Sequence, residues 1–217
     1  DRPAPIHRYV LSLAGVERPN VCYVPTAGGD ASEAIDGFYS AFAGIGGVLT
    51  HLSVFRNTIS DVAALLREQH VIYVGGGNTR NLLLLWAAWG IDTAIRAAWE
   101  RGAILAGPSA GGLCWFEAGL TDSWPGEFRA LACLGWIPGS FCPHYDSEPG
   151  RRPVLERAIA ARTLPPGYAV EDDAALHIVD GRLFRAVAQR DGQRAYAVRS
   201  QSGRFVSEAL PMHRLGD

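Results

Sequence analysis

Short apolar runs alternate along the first half of the chain with longer stretches whose apolar positions recur at helical spacing. Residues 8–14 (RYVLSLA) and 20–25 (NVCYVP) read as strands, followed by a Gly-Gly turn and a helix over about 31–44. A strand is predicted near 47–55. A helix then starts after Ser60, where Asp61 can cap a turn carrying Val62, Leu65 and Leu66. The uninterrupted run 71–74 (VIYV) suits a strand covered on both faces. Helices over about 79–89 and 91–101 follow, the second ended by Gly102, and the apolar run 103–107 forms a further buried strand.

Strand-then-helix alternation predicts an α/β sandwich of three layers with a mostly parallel, mixed sheet. The last third is different. Segments 174–180, 183–189, 195–200 and 203–210 are short and strand-like, with Asp180-Gly181 and Asp191-Gly192 or other glycine turns between them. Those are hairpin signals, so antiparallel strands are expected at one sheet edge toward the C-terminus. No repeat, low-complexity tract or linker interrupts the chain, and residues 1–217 read as a single domain with one core.

Composition narrows the function. A net charge of −2 and a pI near 6.3 give no electrostatic pull toward nucleic acid or an anionic membrane. The longest apolar run, 82–91, is too short to span a bilayer, and no basic-then-apolar segment opens the chain. A soluble cytoplasmic protein is expected, although a chain that starts at Asp1 leaves a removed leader open. All 20 basic residues are Arg, which excludes a Schiff-base lysine, a Ser–Lys dyad and a P-loop lysine. Cys22, Cys114, Cys133 and Cys142 show no paired spacing and read as small core side chains in a reducing compartment. Neither a metal nor an organic cofactor is expected. The aromatic-rich 82–90 segment, with Trp115, Trp124 and Trp136, offers either core or the face of a homodimer.

The chemistry is carried by Gly107-Pro108-Ser109-Ala110-Gly111, a full G-x-S-x-G between an apolar strand and a helix-forming stretch. That context is what a nucleophile elbow requires: the serine rides a sharp, strained turn and small flanking residues let backbone approach. The amide of Ala110 would then face a developing oxyanion. A second glycine-rich turn, 74–79 (VGGGNT), also follows a buried strand, and the amide of Gly76 or Gly77 could supply the other donor. It lacks the spacing of a dinucleotide site.

A serine hydroxyl needs a base. Of the six histidines, His144 alone ends an apolar stretch (Leu134, Trp136, Ile137) and enters a polar loop, where a strand would deliver it to a sheet edge. A carboxylate should fix its tautomer. Glu171, Asp172 and Asp173 stand in a row after another apolar run, and adjacent strand residues point to opposite faces, so the row alone does not choose among them. Asp122 and Glu117 are further candidates.

Gly-Gly-Gly-Asn-Thr at 75–79, Ser-Ala-Gly at 109–111 and Pro-His at 143–144 occur in the order found in the peptidase E, or S51, serine peptidases, which the chain resembles over about residues 20–180. Cyanophycinase is a related member. The resemblance implies a mixed-sheet fold similar to class I glutamine amidotransferases and a Ser–His–Glu or Ser–His–Asp triad. It makes Ser109 the nucleophile, His144 the base and Gly77 and Ala110 the oxyanion donors. Aligning the family's short strand with 174–179 puts Asp172 at the acid. Gly76 and Asn78 are expected at the substrate, with Arg151, or Arg152, reading an N-terminal aspartate carboxylate as the family's arginine does. The substrate implied is an Asp-X dipeptide or another short peptide. Asp146 and Glu148 nearby would weaken that preference or pair with the arginine instead. An esterase, a cyanophycinase-like hydrolase and a non-catalytic binding module remain as alternatives.

Overall fold

The computed structural model describes residues 4–56 and 59–216. It resolves into two compact units, Asp1–Gly112 and Leu113–Asp217.

The first unit begins with helix α1 (Pro5–Ser12), where a strand was expected at 8–14. Proline at the first helical position presets φ and lacks only a donor that would be idle there. Thereafter His7, Val10, Leu11 and Ala14 recur at helical spacing, and this stripe packs on the core cluster of Val21, Tyr23, Phe38, Phe42 and Val71. The strands β1 (Asn20–Val24), β2 (Val48–His51), β3 (Val71–Val74) and β4 (Ile104–Ala106) form an all-parallel sheet in the order β2-β1-β3-β4. Burial explains the composition of β1 and β3: Val21, Cys22, Val24, Val71, Ile72 and Val74 are completely enclosed. Each such aliphatic side chain contributes roughly 1.5–3 kcal/mol relative to exposure.

Helices α2 (Ser32–Phe42), α3 (Val62–Arg67), α4 (Thr79–Trp89) and α5 (Ile91–Glu100) make the crossovers. Asp61 caps α3 by accepting from the Ala64 amide at 2.8 Å. Gly90 ends α4 in the left-handed conformation at φ 66°. Trp86 is fully buried and donates to Thr26, whereas Leu84 and Trp89 are exposed.

The second unit holds two sheets. The larger runs β12-β11-β8-β7-β5-β6 and comprises β5 (Phe116–Trp124), β6 (Glu127–Ala132), β7 (Ile137–Cys142), β8 (Gly167–Val170), β11 (Ala195–Gln201) and β12 (Arg204–Ala209). Its middle pairs, β5–β7 and β7–β8, are parallel, and the outer pairs are antiparallel. The smaller sheet runs β13-β10-β9, from β9 (Ala174–Val179), β10 (Arg182–Ala188) and β13 (Met212–Arg214). Helix α7 (Arg151–Ala160) buries Arg151, Leu155 and Ile159.

The fold is therefore α/β with mostly parallel strands and with antiparallel strands gathered toward the C-terminus, as expected. Two details depart from expectation. The Asp180-Gly181 turn does close a hairpin between β9 and β10, but Asp191-Gly192 does not, because β10 and β11 belong to different sheets. After Ser109 the helix α6 (Ala110–Leu113) lasts a single turn before β5 takes over. Two consecutive glycines and then an aromatic run favour that early end. Among the described residues, no helix is long and apolar enough to cross a membrane.

Candidate active site

In the first unit, β4 runs into the turn that carries Ser109. The serine has φ +50°, a left-handed conformation that is uncommon for a non-glycine residue and is enforced here. The enforcement is steric. A Cβ at Gly107 or Gly111 would collide with the carbonyl oxygen of Val74, so only glycine lets the elbow lie flat on the end of β3. Amides of Gly111 and Gly112 donate to the Pro108 and Ser109 carbonyls at 2.8 and 3.0 Å, tightening the turn behind the serine.

The glycine turn after β3 lies against this elbow. A Cβ built on Gly76 would stand 3.5 Å from the Ser109 Cβ. Gly75 donates to Val24 at 3.0 Å and Asn78 to Ala27 at 2.8 Å, which staples both ends of the turn to the segment after β1. Gly77 sits at φ +134°, pressed on the Ala27 carbonyl, where any side chain would clash. Among the described residues, the amides of Gly76 and Gly77 make no hydrogen bond within the chain, so two uncommitted donors lie between two committed ones. Asn78 uses its side-chain oxygen to cap α4, accepting from the Asn81 amide at 2.9 Å. Ala110 is buried at the start of α6.

In the second unit, β7 delivers His144 through Cys142 and Pro143. His144 also has positive φ, +53°. Its Nδ1 lies 2.6 Å from Oδ1 of Asp172, in the loop between β8 and β9. With Nδ1 held by a carboxylate, the neutral ring presents Nε2 as its acceptor. Burial alone would raise the Asp172 carboxyl. Hydrogen bonds from Ser147 and His144, with the charges of His144 and Arg151, outweigh it and hold the group below its ordinary value. The Asp172 amide in turn donates to Asp146 at 2.9 Å.

The other carboxylates are engaged elsewhere. Glu171 accepts from the Arg194 amide at 2.7 Å and from the Tyr196 hydroxyl at 3.0 Å. Asp173 accepts from Gln189 at 3.0 Å and pairs with Arg190 at 3.2 Å. Glu117 accepts from the Gly139 amide, and Asp122 lies 3.9 Å from Arg151. Four of the other five histidines also have their own neighbours: His7 packs on Phe42, His51 bonds Tyr39, His70 accepts from the Asn20 amide and His177 packs on Phe184.

Arg151, expected at the substrate, is buried with 1% of its side chain exposed. Its Nε and Nη2 both reach Oε2 of Glu148, at 2.9 and 2.7 Å, and Nη1 reaches the Leu120 carbonyl at 2.8 Å. Arg152 is exposed, pairs with Glu156 at 3.2 Å and lies over the Tyr145 ring. The structure thus gathers Gly76, Gly77 and Ser109 in one unit and His144 and Asp172 in the other. Sequence reasoning missed Ser147 and the bracing roles of Asp146 and Glu148. The signal was present as a short polar turn directly after the histidine: pairing of its acids with the arginine was expected as one alternative, and Glu148 does pair with Arg151, but the tie from that pair back to the histidine was not. No group of three or more His, Cys, Asp or Glu among the described residues could hold a metal ion.

Comparison with known structures places the fold first. A crystal structure of a peptidase from an acI-B1 Actinobacterium matches with a TM-score of 0.70 at 15% identity, over 94% of this chain and 90% of that one. The crystal structure of a putative peptidase E protein from Listeria monocytogenes EGD-e matches at 0.55 and 17% identity, over 94% and 92%. In sequence, an uncharacterized peptidase of Bacillus subtilis (strain 168), YgaJ, is 46% identical over 211 residues, covering 97% of this chain and 91% of the relative. The profile of Peptidase family S51 matches residues 2–186. The chain belongs to peptidase family S51, and that membership supports a peptidase.

Proposed function

We propose that this protein is a serine peptidase that hydrolyses the first peptide bond of dipeptides or short peptides, Asp-X among them, in the cytoplasm. Ser109 Oγ attacks the carbonyl carbon while its proton passes to Nε2 of His144. Asp172 stabilises the imidazolium, and the amides of Ala110 and Gly77 receive the oxyanion, with Gly76 beside them. As the tetrahedral species collapses, the carbon–nitrogen bond breaks and the leaving amine takes the proton from His144. Water then repeats the sequence on the acyl-serine and frees the acid.

The reading is carried by Ser109 at φ +50° on a strand-to-helix turn, with Gly76 against it and two uncommitted amides alongside. A left-handed serine outside a hairpin turn stores strain, and such strain clusters at functional sites. The His144–Asp172 pair at 2.6 Å supports the base and acid. The test is Ser109→Ala, assayed on a dipeptide panel and with a fluorophosphonate probe. Turnover should fall by about 10⁶-fold and labelling should vanish. A folded Ser109→Ala protein that still hydrolyses peptides at the wild-type rate would end the proposal.

A further inference from the structure

We propose that Arg151 is a positioning residue for His144 and does not read the substrate side chain. The inference rests on His144 being the general base.

The histidine's left-handed backbone must be held by something, since no steric lock like that around Ser109 is found in its turn. The turn closes where the Glu148 amide donates to the His144 carbonyl at 3.3 Å, and the Arg151 amide donates to the Glu148 carbonyl at 2.9 Å. Side chains complete the brace. Two guanidinium nitrogens converge on one Glu148 oxygen at 2.7 and 2.9 Å, while the third bonds the Leu120 carbonyl on β5 at 2.8 Å. The face of the guanidinium lies over Phe128 on β6, 4.8 Å from the ring centre. Arg151 therefore ties the far end of the histidine turn to β5.

A substrate-reading arginine needs donors that can meet a carboxylate in a fork. With 1% of its side chain exposed, Arg151 could do so only by abandoning Glu148 and the Leu120 carbonyl together, leaving a buried acceptor unmet. Its charge also helps hold the Asp172 carboxyl, which bonds the histidine, below its ordinary value.

The two roles give opposite kinetics. Wild type, Arg151→Met, Arg151→Lys, Glu148→Gln and the Arg151→Met/Glu148→Gln double variant are assayed on two dipeptides that differ only in an Asp or Ala first residue. Positioning predicts that Arg151→Met lowers kcat on both by the same factor, roughly 10²-fold for a misplacement near 1 Å, with KM little changed. Arg151→Lys keeps the charge but not the fork and falls between. Glu148→Gln is impaired in the same sense, and the double variant is no worse than Arg151→Met. A loss confined to KM for the Asp-first dipeptide, or a gain on it when Glu148→Gln frees the guanidinium, overturns the proposal. Should Arg151→Met not fold, Glu148→Gln decides the matter, because Glu148 is 34% exposed and tolerates exchange.

A second readout needs no turnover. The deshielded Nδ1–H proton of His144, identified by its loss in Asp172→Asn, should broaden or vanish in the NMR spectra of Arg151→Met and Glu148→Gln. An unchanged resonance refutes the brace. A wild-type protein without hydrolytic activity counts against the peptidase reading alone and leaves this resonance to decide.

Discussion

Ser109 and His144 both hold a left-handed backbone, at φ +50° and +53°, yet the two turns are held by different physics. Around Ser109 the hold is steric: Gly107 and Gly111 lie flat on the Val74 carbonyl, where a side chain would collide. Around His144 it is polar. Asp146 accepts from the Asp172 amide, Glu148 closes the turn, and Arg151 secures Glu148. A steric lock restricts residue type and acts at any pH. A polar brace uses residues that are ordinary on any surface, and its strength follows their ionisation.

The sharpest way to break this contrast is the proposed acid. Asp172→Asn should lower kcat by about 10⁴-fold through the wrong imidazole tautomer. Asp173→Asn and Glu171→Gln should leave kcat within about tenfold, because their partners lie in the Gln189–Arg194 segment and Tyr196. Steady-state kinetics of the three variants would expose a wrong choice of acid as a larger fall at either neighbour.

The steric side is tested by Gly111→Ala. Forcing a Cβ onto the Val74 carbonyl should cost roughly 1–3 kcal/mol of stability, seen as a lower denaturation midpoint of the same size at pH 5 and pH 8. A strongly pH-dependent cost would mean that charges hold that turn as well.

The smallest effect lies on the polar side. The Asp172 carboxyl is held below its ordinary value when folded, so its contribution is full above about pH 3.9 and is lost as the pH falls through the lower, folded value. Its side chain is 46% exposed, and screening keeps that contribution within about 1 kcal/mol. Melting wild type beside Asp172→Asn should therefore show a stability gap at pH 6 that narrows toward pH 3. A gap that widens on acidification would reverse the sign assigned to this group.

The same contrast explains what the sequence disclosed. The elbow and the glycine turn were legible because close backbone approach demands glycine at fixed spacing around Ser109. The parallel strands were legible because β1 and β3, covered on both faces, are apolar throughout. The row of three acids did not by itself single out Asp172, which the family resemblance proposed, and the different partners of Glu171 and Asp173 arise only through tertiary contacts. Helix α7 escaped notice because the first position of its buried stripe is Arg151, with Leu155 and Ile159 following, and a search for apolar periodicity passes over a charged residue. The opening helix was mistaken for a strand because Tyr9, Leu11 and Leu13 alternate, while the Pro5 start and the His7–Val10–Leu11–Ala14 stripe carried more weight in the fold.

The cysteines have a practical consequence. None of the four is disulfide-bonded, and burial pushes the thiols of Cys22, Cys133 and Cys142 up to about 12 and that of Cys114 well above its usual value. The thiolate is the nucleophile that attacks an alkylating reagent, so at neutral pH the native sulfurs should react slowly. A single sulfur exchanged for the hydroxyl at the elbow would report its surroundings against a silent background, and its rate of modification would gauge that turn without any substrate.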